Sequence, residues 1–331
     1  MACVGGSVAV SGTLSAAPLM TTQAVRYALA VGLLLGIARL TGRRVPMPRR
    51  VEWLWLVGVA VAGLVLFNVA LVRGAEHAEP AVLGVAIAGV PLVLALAGGR
   101  PRRAVVLGAV LVTAGAALVE GGGHADLVGL AWAALVLACE VGFTLLAVPV
   151  LGRLGPWGVA VHSCWIAVVL LAAIGWAVEG PAAVLTLTPA HLLAVGYLAV
   201  VVTAVAFVLW YGAVAALGPA RAGLLTGVVP VAAAGLGAVV GGPVPGPLVW
   251  AGIALVGAGL ALGVSGGAAR RPAGAAAGGP ATAAAGSALG GSAGPVRRGA
   301  SVAGAAAGDP MPATAAVVDA VSAVGVSGAA R

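Results

Sequence analysis

Few residues in this chain can do chemistry, and they stand out because almost everything around them is apolar. The run "LVGLAWAALVLACEVGFTLLAVPVLG" (127–152) holds one charge, Glu140, close to its middle. A carboxylate at the centre of a bilayer costs at least ~2.5–3.5 kcal/mol on insertion scales, so it normally faces a cavity or a partner. A carboxyl in that place can take up and release a proton, which is the chemistry of a coupling site. A hydrogen-bonded carboxyl that only packs the bundle is the alternative. Arg26 stands in "QAVRYALA" (23–30), a turn or two inside another apolar run. A guanidinium there could bind an anionic group or pair with Glu140, or snorkel to the interface. Asn68 can hydrogen-bond a substrate or a neighbouring helix. His162 and Trp165 share "VAVHSCW" (159–165), where the imidazole could relay protons. Trp210 and Tyr211 could line a path through the protein or belong to an interfacial aromatic belt.

Other chemistries lack their residues. "GVSGG" (263–267) fits Gly-x-Ser-x-Gly but ends an apolar helix instead of joining a strand to a helix. There is no Gly-Lys-Ser/Thr phosphate loop and no His-Glu-x-x-His. Cys3, Cys139 and Cys164 sit in apolar runs without paired spacing, which argues against a disulfide framework or a zinc site. No cofactor or metal is expected. A membrane-embedded enzyme would need converging polar residues, and the apolar runs offer too few.

The elements that must position these residues follow from composition. The chain of 331 residues is 62% hydrophobic and 8% charged, far below the roughly 25% charge of a soluble domain. Charges divide it into membrane-length pieces: 17–38, 53–72, 80–99, 104–119, 127–152, 154–178 and 191–217, then 222–269 broken in two by "GGPVPGP" (241–247). Residues 2–16 are uncharged but rich in Gly and Ser, so the spans number ten if this first piece crosses and nine if it does not. No basic residues precede that stretch, which argues against a cleaved signal peptide. The arginines fall in 39–50, 100–103, at Arg153, at Arg221 and after 266, whereas the alternate links carry Glu76, Glu79, Glu120, Asp126 and Glu179 with Arg73 the one base. The positive-inside rule puts the arginine links and the C-terminus in the cytosol. The net charge of +8 therefore sorts by membrane side rather than forming a nucleic-acid face. Residues 266–331 are low-complexity Ala, Gly, Ser and Pro, expected to be a disordered cytosolic tail.

The two halves resemble each other. "ACVGGSVAVSG" (2–12) is similar to "ACEVGFTLLAV" (138–148), and "VVLGAVLVTAGAALV" (105–119) to "LVWAGIALVGAGLAL" (248–262), with Gly108 and Gly115 matching Gly252 and Gly259. "AGVP" (88–91) and "GVVP" (227–230) each put a proline inside the fourth helix of a half, and Trp210 and Tyr211 match Phe67 and Asn68. Five helices per half is an odd number, so the halves insert with opposite topology, an architecture of secondary transporters.

These features resemble the EamA family of the drug/metabolite transporter superfamily. The resemblance rests on "QAVRYALA", the proline-bearing fourth and ninth helices and the Gly-x6-Gly fifth and tenth helices, over residues 2–264. It implies an all-α polytopic membrane protein of about ten transmembrane helices in two inverted five-helix repeats, 1–119 and 127–265. It further implies a secondary active transporter, an exporter of a small metabolite, amino acid or drug-like compound by alternating access, in the bacterial inner membrane. Its partners would be the lipid bilayer, the small-molecule substrate and protons exchanged at Glu140. The site residues expected are Glu140, Arg26, Asn68, His162, Trp165, Trp210 and Tyr211. Two departures favour the alternative, a non-transporting binding or structural membrane protein. The Gly-Glu that usually ends the fourth and ninth helices is replaced in "GGRP" (98–101) and "GGPV" (241–244). Ala2 aligns with Ala138, eleven residues past Leu127, so either the first span is shortened by that much or the chain begins at a wrongly chosen start.

Overall fold

In hydrocarbon every backbone polar group must be satisfied within its own segment, so each apolar run between charged links folds as a helix. The computed structural model describes residue 14 and residues 17–97, 102–239 and 246–265. These residues form nine helices in the order α1 (Leu19–Leu40), α2 (Arg50–Gly74), α3 (Pro80–Ala97), α4 (Arg103–Glu120), α5 (Leu127–Leu145), α6 (Val148–Val178), α7 (Pro189–Leu217), α8 (219–239) and α9 (Pro247–Ser265). Eight of them are long and apolar enough to cross a membrane; α8 is divided by a 3-10 turn at Leu225–Gly227. No strand occurs among the described residues; one isolated bridge joins Ala78 and Ala125. The expected first span, the ends "GGRP" and "GGPV" and the tail 266–331 lie outside the described residues.

The helix starts follow local chemistry. Prolines occupy the first turn of α3, α7 and α8, where a missing N–H costs nothing. Asp126 opens α5 by accepting the Gly129 N–H at 2.6 Å, and this bond, with His77 beside it, holds its carboxyl below the usual aspartate range. Thr188 caps α7 through the His191 N–H at 3.2 Å.

One boundary differs from the sequence reading. The run 127–152 is not one helix: α5 ends at Leu145, and a new helical turn begins at Val148. Pro149 is tolerated in that first turn, and Gly155, at φ 68, lets the chain bend again before Pro156. Glu140 is therefore not at a midpoint. It stands thirteen residues from the start of α5 and five from its end, roughly 20 Å and 8 Å at 1.5 Å per residue.

Two matched irregularities recur. Helix α2 widens to a π-helix over Ala60–Leu66 and α7 over Leu198–Val205. Pro80 and Pro219, and Pro91 and Pro230, are each 139 residues apart. In that register Phe67 and Asn68 fall opposite Ala206 and Phe207, four residues before the pair suggested by sequence similarity.

Helices α4 and α9 pack along four glycines. A Cβ on Gly108 would lie 2.7 Å from the Gly259 oxygen, and one on Gly259 would lie 2.7 Å from the Gly108 oxygen. Gly115 and Gly252 exchange the same contact at 2.7 and 2.6 Å. The order of contacts makes the pair antiparallel, and the reciprocity is that of an isologous two-fold seam. Elsewhere α1 packs on α6 and on the π-segment of α7, and α2 packs on α5.

Candidate functional site

The helices enclose a cavity of about 240 Å³ whose walls come from α1, α2, α3, α5, α7 and α8. Four of the residues expected from sequence meet there: Arg26, Asn68, Glu140 and Trp210. Tyr211 does not reach the wall. It is fully buried one layer behind, stacked on Phe143 and Phe207 at centroid distances of 5.2 and 6.3 Å.

Arg26 is 9% exposed and makes no salt bridge among the described residues. Its Nε–H donates to Thr203 Oγ1 at 2.8 Å, its Nη1 to Gln23 Oε1 at 3.2 Å, and the guanidinium lies 5.2 Å from the Tyr27 ring centroid. Asn68 donates from Nδ2 to the Tyr27 hydroxyl at 3.0 Å and to the Leu64 carbonyl at 2.8 Å. Among the described residues its Oδ1 has no partner, so the amide is tied on one side and free on the other. The Glu140 side chain lines the cavity without a hydrogen bond or an ion pair among the described residues. One turn on, Phe143 stacks on Phe207 at 5.1 Å and lies against Gly63, whose lack of a side chain makes room for the ring.

His162 and Trp165 sit elsewhere, against the link between α1 and α2. The His162 Nε2 contacts the Pro46 carbonyl at 3.0 Å, and Trp165 Nε1–H donates to His162 Nδ1 at 3.1 Å. With Nδ1 accepting, Nε2 carries the ring proton, and both nitrogens are occupied. Trp53 meets both rings edge-on at 5.9 and 5.5 Å. Close by, Arg153 pairs with Glu52 and donates to the Met47 carbonyl at 2.9 Å. This cluster fastens α6 to the 46–53 segment.

Thr203, Gln23 and Phe143 belong to the site and escape a reading of sequence. Thr203 is a lone hydroxyl in "AVVVTAVAF" (199–207), and such residues in apolar helices most often bond their own backbone. Only the approach of α1 to α7 gives it an outside partner.

The described residues are almost entirely helical, and eight of their helices are long and apolar enough to cross a membrane, which supports a multi-pass membrane protein with a guanidinium and a carboxyl on the wall of one cavity. Residues 127–265 match the EamA-like transporter family, and together with the apolar helices this match supports a membrane transporter of the drug/metabolite kind. No curated protein matches the sequence. A solved structure described only as the crystal structure of a protein is similar in fold, with TM-score 0.68 and 21% identity over 78% of this chain and 92% of that one.

Proposed function

We propose that this chain is a secondary active transporter that exports a small metabolite, amino acid or drug-like compound by alternating access, with Glu140 carrying the exchanged proton. The observation that carries this reading is Glu140 itself, an unpartnered carboxyl on the wall of a cavity shared by helices of both halves. A proton and a cationic group of the substrate compete for one carboxylate, so loading of one releases the other. Arg26 and the free edge of Asn68 hold polar parts of the substrate, and Trp210 with the aromatic rings holds its apolar body. The antiparallel glycine seam between α4 and α9 supports a pair of inverted repeats, 1–119 and 127–265, that rock about this site. The bilayer would be the bacterial inner membrane, with the arginine links and the C-terminus on the cytosolic side.

Reconstituted vesicles with a pH-sensitive dye inside test the coupling. A panel of amino acids and small amines is added under an imposed pH gradient. Glu140→Gln abolishes substrate-dependent proton movement while the protein stays inserted and monodisperse. Proton movement of wild-type size in Glu140→Gln would sink the coupling role.

A further inference from the structure

We infer that Thr203 is the positioning residue of an oxyanion subsite at Arg26, and that the substrate accordingly carries a single carboxylate or comparable oxyanion. The inference rests on the central cavity being the substrate site.

A hydroxyl has one proton to give. Thr203 spends it on the Leu198 carbonyl, 3.0 Å away and five residues back. In an α-helix a threonine hydroxyl reaches the carbonyl three or four residues back; the longer reach here is a property of the π-segment Leu198–Val205. With its proton committed inside α7, the Thr203 oxygen offers only lone pairs toward α1, and Arg26 Nε–H occupies them at 2.8 Å. Both side chains are buried, so the geometry is set by packing and not by solvent.

The consequence falls on the guanidinium. With Nε taken by Thr203 and one Nη1 proton taken by Gln23, three N–H groups are left without partners among the described residues, on a side chain that lines the cavity. They belong to the Nη1/Nη2 end of the fork, the end that receives a carboxylate through two parallel bonds. With Glu140 protonated, the one fixed positive charge on the cavity wall is balanced by one negative charge; a dianion would leave an uncompensated charge of its own. Thr203 touches no substrate in this arrangement. It acts through Arg26, by holding the fork's end toward the cavity, and it does so from the other half of the chain.

The test is equilibrium binding to the full purified chain in lipid nanodiscs, with no gradient, so it is independent of proton coupling and can fail separately from it. The probes are carboxylates paired with their neutral amides, benzoate with benzamide and hexanoate with hexanamide. Wild-type protein binds at least one carboxylate roughly tenfold or more tightly than its amide, the worth of one good charge-assisted contact. Thr203→Val, which keeps the shape and removes both hydrogen bonds, lowers that ratio about tenfold and leaves amide affinity in place. Thr203→Ser restores the ratio. Wild-type protein that binds no carboxylate better than its amide overturns the subsite, and an undiminished ratio in Thr203→Val overturns the positioning role.

Discussion

Replacing Gly252 by alanine adds one methyl group to the close-packed glycine seam between α4 and α9. The new Cβ would lie 2.6 Å from the Gly115 oxygen and 2.9 Å from Val119 Cγ2. Ordinary contact begins near 3.4 Å, so the two helices must separate by several tenths of an ångström. A backbone oxygen cannot rotate aside as a side chain would. Overpacking of this kind costs about 1–3 kcal/mol, and alanine returns up to about 1 kcal/mol through its better helix propensity. The net loss is about 1–2 kcal/mol. Gly36 in α1 has nothing within 4 Å of an added Cβ, so Gly36→Ala is neutral or slightly stabilising and serves as the control. The assay is thermal unfolding of the purified protein in detergent, followed by the loss of the monodisperse peak. Gly252→Ala melts below wild type and Gly36→Ala does not. Because Gly115 and Gly252 share one contact, the double alanine variant costs less than the sum of the two single ones. Equal melting of Gly252→Ala and Gly36→Ala would refute the close-packed seam.

Two further outcomes are expected. Arg153→Met removes the ties to Glu52 and to the Met47 carbonyl, so the 41–49 link loosens and trypsin cuts faster at Arg43, Arg44 and Arg49 than in wild type; unchanged cleavage would show that the link is held by other contacts. Asp126 is held below its ordinary pKa by the Gly129 N–H first and His77 second, so its stabilising effect is complete above the unfolded-state value of about 3.9 and is lost as pH falls through the lower folded value; Asp126→Ala therefore lowers the melting midpoint near neutral pH but not well below pH 3, and an equal deficit at both would contradict the capping role.

How much was legible depended on what each feature needed. Span boundaries come from charge and proline, which are local, so α2, α3, α4 and α7 fall within a few residues of the apolar runs. The break after Leu145 was hidden because no charge marks it, and Pro149 in the first turn of a new helix looks the same as any residue in an apolar run. Glu140 and Arg26 were visible because charge is rare in such a chain. The polar cluster around His162 was equally visible, yet its ring nitrogens are spent on Trp165 and Pro46 and it lies off the cavity. Rarity finds polar residues; only the packing of helices distant in sequence says whether their hydrogen bonds are already made. Thr203 shows the converse, since its partner Arg26 is 177 residues away.

That distinction separates the ties between helices from the site. The Glu179 carboxylate, beyond the end of α6, accepts from the Met20 and Thr21 N–H groups at 2.7 and 2.8 Å and from the Thr21 hydroxyl at 2.7 Å. It caps the start of α1, where a negative charge is favoured by the helix dipole. Arg153 is satisfied in the same way by Glu52 and the Met47 carbonyl. These groups lie near helix ends, and their charges are compensated by the fold. Glu140 and the free end of Arg26 lie within the spans and are not compensated. Leaving an ionisable group unpaired inside a membrane protein costs stability that packing alone would remove, since an apolar side chain at either position would serve a structural role at lower cost. On the reading proposed above, that cost is relieved at the cavity by what the cavity takes in: a proton for the carboxyl, an oxyanion for the guanidinium. A substrate that brings an anion to Arg26 while its cationic group displaces the proton from Glu140 relieves both at once, and the strength with which it is held then follows the protonation of a single carboxyl.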